Sequence, residues 1–366
     1  QAYTTLYPPA AGFYPNGGIV NNITDRLLYQ NPETLELEPW IATDYTVNAD
    51  ATEYTFDLRT DVTYSDGTPL TAANVVKNID LYGAGDKDRA LPISEAINNY
   101  DRGEVVDDDT VVFRFTAPSP GFAQAVSTIN SGLLSDATLD RTSEQFGPGN
   151  ATEIIGSGPF VVSDEQISTQ TSVTARADYD WAPPSLTHQG AAYLAGIDYI
   201  VAAENSVRVG TVVAGQADIA RNIPAPDEAQ FAGGSLSLHA AATNGVNNGL
   251  SFRFREPRLA DVRVRQALIA GIDRQKIVDT LAARTGDAGA RKKEGAHEPL
   301  EAVDVDAVAA GCTGERDAGA VLGGPWTGRG EQRVGVRQQV VAGPLRATGA
   351  CSGRCTGALV RHRVLL

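Results

Sequence analysis

The sequence reads as a mixed α/β protein, and three patterns carry that reading. Tyr54, Phe56 and Leu58 alternate with Thr55, Asp57 and Arg59, the period of a half-buried strand. Thr71 stands before a run in which Val75, Val76 and Ile79 share one helical face, with the threonine placed to cap the first turn. Residues 197–201, 206–214 and 217–220 then follow as strand, helix and strand, with Gly215 able to take the left-handed turn that sends the chain back to a sheet. Short strands and helices mixed in this way build layers of sheet and helix.

Taken in order, the opening is loop-rich, with Pro8, Pro9, Gly12, Pro15 and the pair Gly17-Gly18. A short helical pattern puts Ile19, Ile23 and Leu27 on one face, and Asn31-Pro32 breaks it. After the strand at 54–58, Asp66-Gly67 supplies a tight turn, the glycine taking positive φ and the aspartate bonding its own backbone. A second strand pair brackets the acidic turn Asp107-Asp108-Asp109 and continues through Val111, Phe113 and Phe115. Strands are expected near 160–162 and 172–176. In Gly156-Ser157-Gly158-Pro159-Phe160 the glycines let one backbone pass close to another. Asp261 and Asp273 are placed to cap two successive helices, the first of which carries Val264, Leu268, Gly271 and Ile272 on one face.

Composition narrows the function. With 366 residues, two or three domains are expected. A net charge of −15 disfavours nucleic acid and anionic membrane as main partners. No run approaches the length of a membrane-spanning helix. The chain begins at Gln1 without a methionine or a charged-then-apolar leader, which reads as a processed or truncated form. His188, His239, His297 and His362 are scattered, and the Cys351–Cys355 spacing lacks a second pair, so no metal or cofactor is expected.

Three strings go further: EYTFDLRTDVTYSDGTPLTAANVVK at 53–77, GSGPF at 156–160 and DVRVRQALIAGIDRQKIVDTL at 261–281. In order and separation they resemble the family 5 extracellular solute-binding proteins of bacterial ABC importers, which bind oligopeptides, dipeptides or nickel complexes. The resemblance covers about residues 1–281. It implies a periplasmic-binding-protein-like two-lobed fold of type II with an inserted subdomain, the second lobe mostly missing. Residues 1–45 and 156–255 would form the first-lobe core, 46–155 the inserted subdomain and 256–283 the start of the second lobe. Residues 247–254 would be the crossover strand. The positions matching the family's cleft are Phe13, Tyr14, Asn16, Asn22 and Asn247, where aromatic rings offer apolar walls and amides offer donors and acceptors. Trp181 is expected to pack rather than touch ligand. The implied partners are a small-molecule or peptide ligand and the permease subunits of the importer, with the protein a monomer outside the cytoplasm, lipid-anchored in some precursors.

The alternative from another class is a hydrolase on the same scaffold. Ser157 has glycine directly on both sides, whereas a nucleophile elbow needs one further residue on each side, and Pro159 argues against a helix start. Residues 284–366 form a low-complexity tail. They carry a net charge of +3 against −18 for the preceding part, hold 15 of the 37 glycines and all three cysteines, and lack Phe, Tyr, Ile and Asn. The expectation is a shifted reading frame in GC-rich DNA, and the alternative is a genuine disordered or basic C-terminal extension. Without a second lobe to close over the ligand, such a chain binds weakly or not at all.

Overall fold

The computed structural model describes residues 2–12, 16–231, 236–242, 252–253, 255–273, 337–342 and 361–365. They fall into two compact units. The larger comprises Gln1–Ile223, Gly233–His239 and Gln339–Leu366, and the smaller Pro224–Ala232 and Ala240–Gln338.

The larger unit opens with α1 (Gly17–Ile23), followed by the hairpin of β1 (Leu28–Gln30) and β2 (Leu37–Pro39). Ile19 and Ile23 are buried on α1 as the periodicity predicts. The helix stops before Leu27, because Thr24 turns to extended backbone and its hydroxyl bonds back to Val20 O at 2.8 Å. Leu27 is buried all the same, on the segment leading into β1.

Four antiparallel strands follow in the order β3-β4-β6-β5: β3 (Ala42–Val47), β4 (Glu53–Leu58), β5 (Tyr100–Val105) and β6 (Thr110–Phe115). The alternation at 54–58 holds, with Tyr54, Phe56 and Leu58 all buried. A short helix, α3 (Phe122–Ala125), follows this sheet and drives Phe122 into its aromatic face. The Phe122 ring lies 5.2 Å from Tyr54, 5.5 Å from Phe113 and 4.7 Å from Phe115, edge-on in each case.

Between β4 and β5, α2 (Ala72–Ala84) begins at the predicted cap: Thr71 Oγ1 accepts from Asn74 N at 3.2 Å. Removing that acceptor in Thr71→Ala is expected to lower stability by about 1 kcal/mol, read from the midpoint of chemical denaturation. Gly85, at φ +68°, ends the helix. The inner face of α2 also buries two amides, which hydrophobic periodicity does not report. Asn78 donates to Leu134 O and accepts from Leu134 N, both at 2.9 Å, so one side chain satisfies both backbone groups of that residue. Another short helix, α4 (Asp136–Leu139), follows at once.

The third sheet has seven strands in the order β11-β12-β10-β13-β9-β8-β7. They are β7 (Phe160–Gln166), β8 (Gln170–Ala175), β9 (Gly196–Ile200), β10 (Ile219–Arg221), β11 (Ser237–Ala242), β12 (Arg337–Ala342) and β13 (Arg361–Leu365). Helix α5 (Asn205–Val213) connects β9 to β10, and Gly215 takes φ +68° after it, as the strand–helix–strand pattern requires. One buried cluster runs through this unit, from Tyr7 and Ile19 through Phe56, Tyr82 and Phe146 to Val173 and Tyr199. Residues 46–155, expected as an inserted subdomain, thus share their core with the flanking segments. The composition of residues 284–366 left them outside the fold, yet 361–365 and 339–342 supply strands to this sheet.

In the smaller unit, α6 (Pro257–Ala260) leads into α7 (Val262–Ala270), capped as predicted by Asp261, which accepts from Arg263 N at 2.9 Å. Val264, Leu268 and Ile269 are exposed on α7. Residues 247–251 and 254 of the expected crossover strand, and the helix expected after Asp273, lie outside the described residues.

Candidate functional site

The first candidate is the crossing of the glycine string with the segment after α1. Gly158 N donates to Ile23 O at 3.1 Å. The approach leaves no room for a side chain: a Cβ on Gly156 would sit 1.9 Å from Ile23 O, and one on Gly158 2.6 Å from the Ile23 carbonyl carbon. The glycines therefore act as the sequence reading expected, by letting two backbones touch.

Asp25, fully buried, is the centre of this crossing. Its carboxylate accepts from Trp181 Nε1 at 2.8 Å and from the Tyr179 hydroxyl at 3.2 Å, while its own N–H donates to Ser157 Oγ at 3.2 Å. Burial pushes the Asp25 carboxyl up to about 6, against the pull of the Trp181 indole, Arg26, Ser157 and Tyr179. Arg26 lies over the Trp40 ring, 4.6 Å from its centre, and Trp40 Nε1 donates to Trp181 O at 3.1 Å. Buried Arg176 ties in a third segment, donating to Ser157 O at 3.2 Å, Thr63 O at 3.0 Å and Tyr64 O at 3.2 Å, and pairing with Asp178 at 2.7 Å. Tyr179 and Trp181 thus act as donors to a buried acid, and Trp181 packs as expected. Nothing in periodicity marked Asp25; the one sequence signal was an acid directly before an arginine at the end of an apolar face.

This arrangement holds segments together and does not meet solute. Ser157 is fully buried, so its hydroxyl is closed to an incoming ester or peptide. No group of three His, Cys, Asp or Glu side chains among the described residues is arranged to hold a metal ion.

The second candidate is the edge formed by α1 and β9, where two of the predicted site residues lie. Asn16, only 2% exposed, accepts from Thr4 N at 2.8 Å and so pins the chain start to the head of α1. Asn22, half-buried, donates to Gly18 O at 2.7 Å and to the Tyr199 hydroxyl at 2.8 Å. Tyr199, not foreseen, completes the triangle by donating to Gly18 O at 2.8 Å. Burial pushes its phenol well up, partly offset by the bond from Asn22. A cavity of about 10 Å³ beside it, lined by Tyr3, Ile19, Thr171 and Val201, has room for one water at most. Tyr199→Phe removes two hydrogen bonds and is expected to lower stability by about 1–2 kcal/mol, measured by denaturant titration. Phe13, Tyr14 and Asn247 lie outside the described residues.

A wider groove, about 520 Å³, runs along α2 between Val76, Lys77, Asp80, Leu81, Arg89 and Val105. Its charges are already engaged within the chain: Lys77 with Asp136 and Asp140, Arg89 with Asp86, and Asp80 with the Tyr100 hydroxyl. Neither Asn16 nor Asn22, the two predicted ligand positions among the described residues, falls in it.

Comparison with known proteins supplies what the geometry leaves open. The glutathione-binding protein GsiB of Salmonella typhimurium is 25% identical over 280 residues, which cover 75% of this chain and 51% of that protein. The chain thus spans about half the length of the curated relatives it matches. Among solved structures, the binding protein AgaA from A.tumefacien R10, in complex with agropinic acid, matches with a TM-score of 0.63 at 24% identity, over 76% of this chain and 53% of that one. A dipeptide binding protein from Pseudoalteromonas sp. SM9913, in complex with Met-Leu, matches with a TM-score of 0.63 at 18% identity, over 76% and 57%. These structures share the type II periplasmic-binding-protein fold. The family model for bacterial extracellular solute-binding proteins, family 5 (middle) matches residues 36–292, which include all three diagnostic strings, and the chain belongs to that family.

Proposed function

We propose that the protein is the extracytoplasmic solute-binding component of an ABC importer, capturing a short peptide and delivering it to the permease. The family match over residues 36–292 carries this reading. Glutathione and dipeptide are the ligands named for two of its relatives, although others in the set are named for nickel and opines. Among the described residues no helix is long and apolar enough to cross a membrane. Capture in such a protein rests on closing two lobes over the ligand. Of the positions proposed to line the cleft, Asn16 and Asn22 are held by internal hydrogen bonds.

The test is thermal. Melting temperature is measured with and without Met-Leu, reduced glutathione, nickel–histidine and agropinic acid. A ligand that binds only the folded state stabilises it by about 2.7 kcal/mol at a hundredfold excess over Kd, a shift of several degrees. A rise with the peptides alone is the expected result. A rise with the opine or the nickel complex alone removes the peptide assignment. No rise with any ligand removes solute capture as the activity of this chain.

A further inference from the structure

Strands β9 and β10 are consecutive in the chain and joined by α5, yet they do not pair with each other. Between them lies β13, parallel to both and more than a hundred residues away in sequence. Five of its residues pair with β9, from Arg361 opposite Gly196 to Leu365 opposite Ile200, and Val364 and Leu365 pair with β10. The gap between β9 and β10 is therefore one strand wide and is completed by a remote segment.

Its chemistry is selective. Arg361 reaches across β9 to pair with Asp198 at 3.0 Å and donates to Thr174 Oγ1 at 2.8 Å. Gly196, opposite Arg361, has no side chain to obstruct that reach: a Cβ there would lie 3.3 Å from Arg361 Nε. On the β10 side, Asp218 Oδ2 accepts from Arg363 N at 2.7 Å, its own N–H donates to Arg363 O at 2.9 Å, and the His362 ring stands 3.3 Å from the same carboxylate. Val364 is buried. An acidic residue on each wall thus faces a basic strand, with one small apolar position between the walls. The basic strand comes from the positively charged end of the chain, and the walls from its strongly acidic part. Backbone pairing supplies affinity and the alternate side chains supply selectivity, as when a peptide adds a strand to a sheet.

We propose that the space between β9 and β10 is a strand-acceptor site for an extended Arg-His-Arg-Val segment, occupied by the chain's own residues 361–365, which exchange with the same segment supplied in trans. The proposal is independent of which solute the protein binds.

A chain ending at residue 360 and a fluorescent peptide of sequence VRHRVLL provide the test, with the full chain alongside. The shortened chain is expected to bind the peptide one-to-one and to recover the melting temperature of the full chain on saturation, while the full chain with its slot filled binds it far less. A peptide with Arg361→Glu, which sets two carboxylates against each other, is expected to bind at least about tenfold more weakly. Should the shortened chain fail to fold alone, refolding with excess peptide is expected to recover soluble protein with the native sequence and not with a scrambled one. In the full chain, Arg361→Glu is expected to speed hydrogen exchange at residues 197–200 and 219–220. A full-chain dimer at high concentration, lost on shortening, is strand exchange between copies and supports the site. Equal melting and exchange with and without residues 361–366, together with no peptide binding, overturns it. Equal binding of the native and Arg361→Glu peptides overturns the selectivity.

Discussion

Asp25→Ala is expected to destabilise the larger unit by about 3–5 kcal/mol, because it breaks a buried charge arrangement from one side. The indole N–H of Trp181 and the hydroxyl of Tyr179 lose their acceptor in a place water does not reach, and Arg26 loses its neighbouring charge. Thermal unfolding followed by tryptophan fluorescence reads this directly, since Trp40 and Trp181 both belong to the cluster. Asp25→Asn keeps an oxygen in place and is expected to lose much less. It also isolates the pH dependence. The Asp25 carboxyl rises from 3.8 to about 6 on folding, chiefly through burial. Below pH 3.8 it is protonated in both states. As pH climbs toward 6 the unfolded chain releases the proton while the folded one keeps it, so stability falls, by up to about 3 kcal/mol, and then levels off. Subtracting the Asp25→Asn curve from that of the wild type should leave this descending step. A flat difference between pH 4 and 7 would show that the carboxyl is not held in the protonated form.

Gly156→Ala is the second large effect, expected at about 3 kcal/mol or more. Its Cβ would arrive 1.9 Å from a backbone carbonyl oxygen, and a carbonyl in a packed crossing cannot swing aside as a flexible side chain can. Gly121→Ala, where a Cβ meets nothing within 4 Å, is the control and is expected to change little. If both variants unfold at the same denaturant concentration, the close approach at Ile23 carries no energetic weight.

These two sites show where sequence reasoning reached and where it stopped. Local rules had purchase wherever one residue's own backbone decides the outcome. Thr71 and Asp261 cap helices, Gly67 and Gly215 take positive φ, and Tyr54, Phe56 and Leu58 face inward, all as expected. GSGPF was legible as a close approach, but its partner, Ile23, was not, since nothing in either segment encodes the other. Buried polar groups escaped for the same reason. Asn74 and Asn78 look like surface residues until Leu134 is placed against them, and Asp25 looks ordinary until Trp181 arrives from far along the chain. At the edge of α1 the sequence singles out Asn16 and Asn22 but gives no sign that Asn22 meets the Tyr199 hydroxyl, since strand periodicity says nothing of which helix a tyrosine reaches. The end of the chain escaped altogether. Its composition offers few core residues, and five residues in a sheet slot need only one buried valine and two acidic neighbours.

The crossing near Ile23 has a further consequence. Ile41 N bonds to Arg26 O at 3.3 Å, Ala42 N to Leu27 O at 2.9 Å and Gly158 N to Ile23 O at 3.1 Å. Everything between residues 42 and 158 thus leaves and returns through one doorway, set on a stretch of five residues no longer than about 17 Å. Topologically the whole four-stranded sheet with its helices is a single long excursion, and the entropy of closing such an excursion grows only slowly with its length. Over generations, elements at its far end can be added, trimmed or replaced while the doorway stays the same. Variation in size should therefore accumulate between those two thresholds, and the glycines at the threshold should change last.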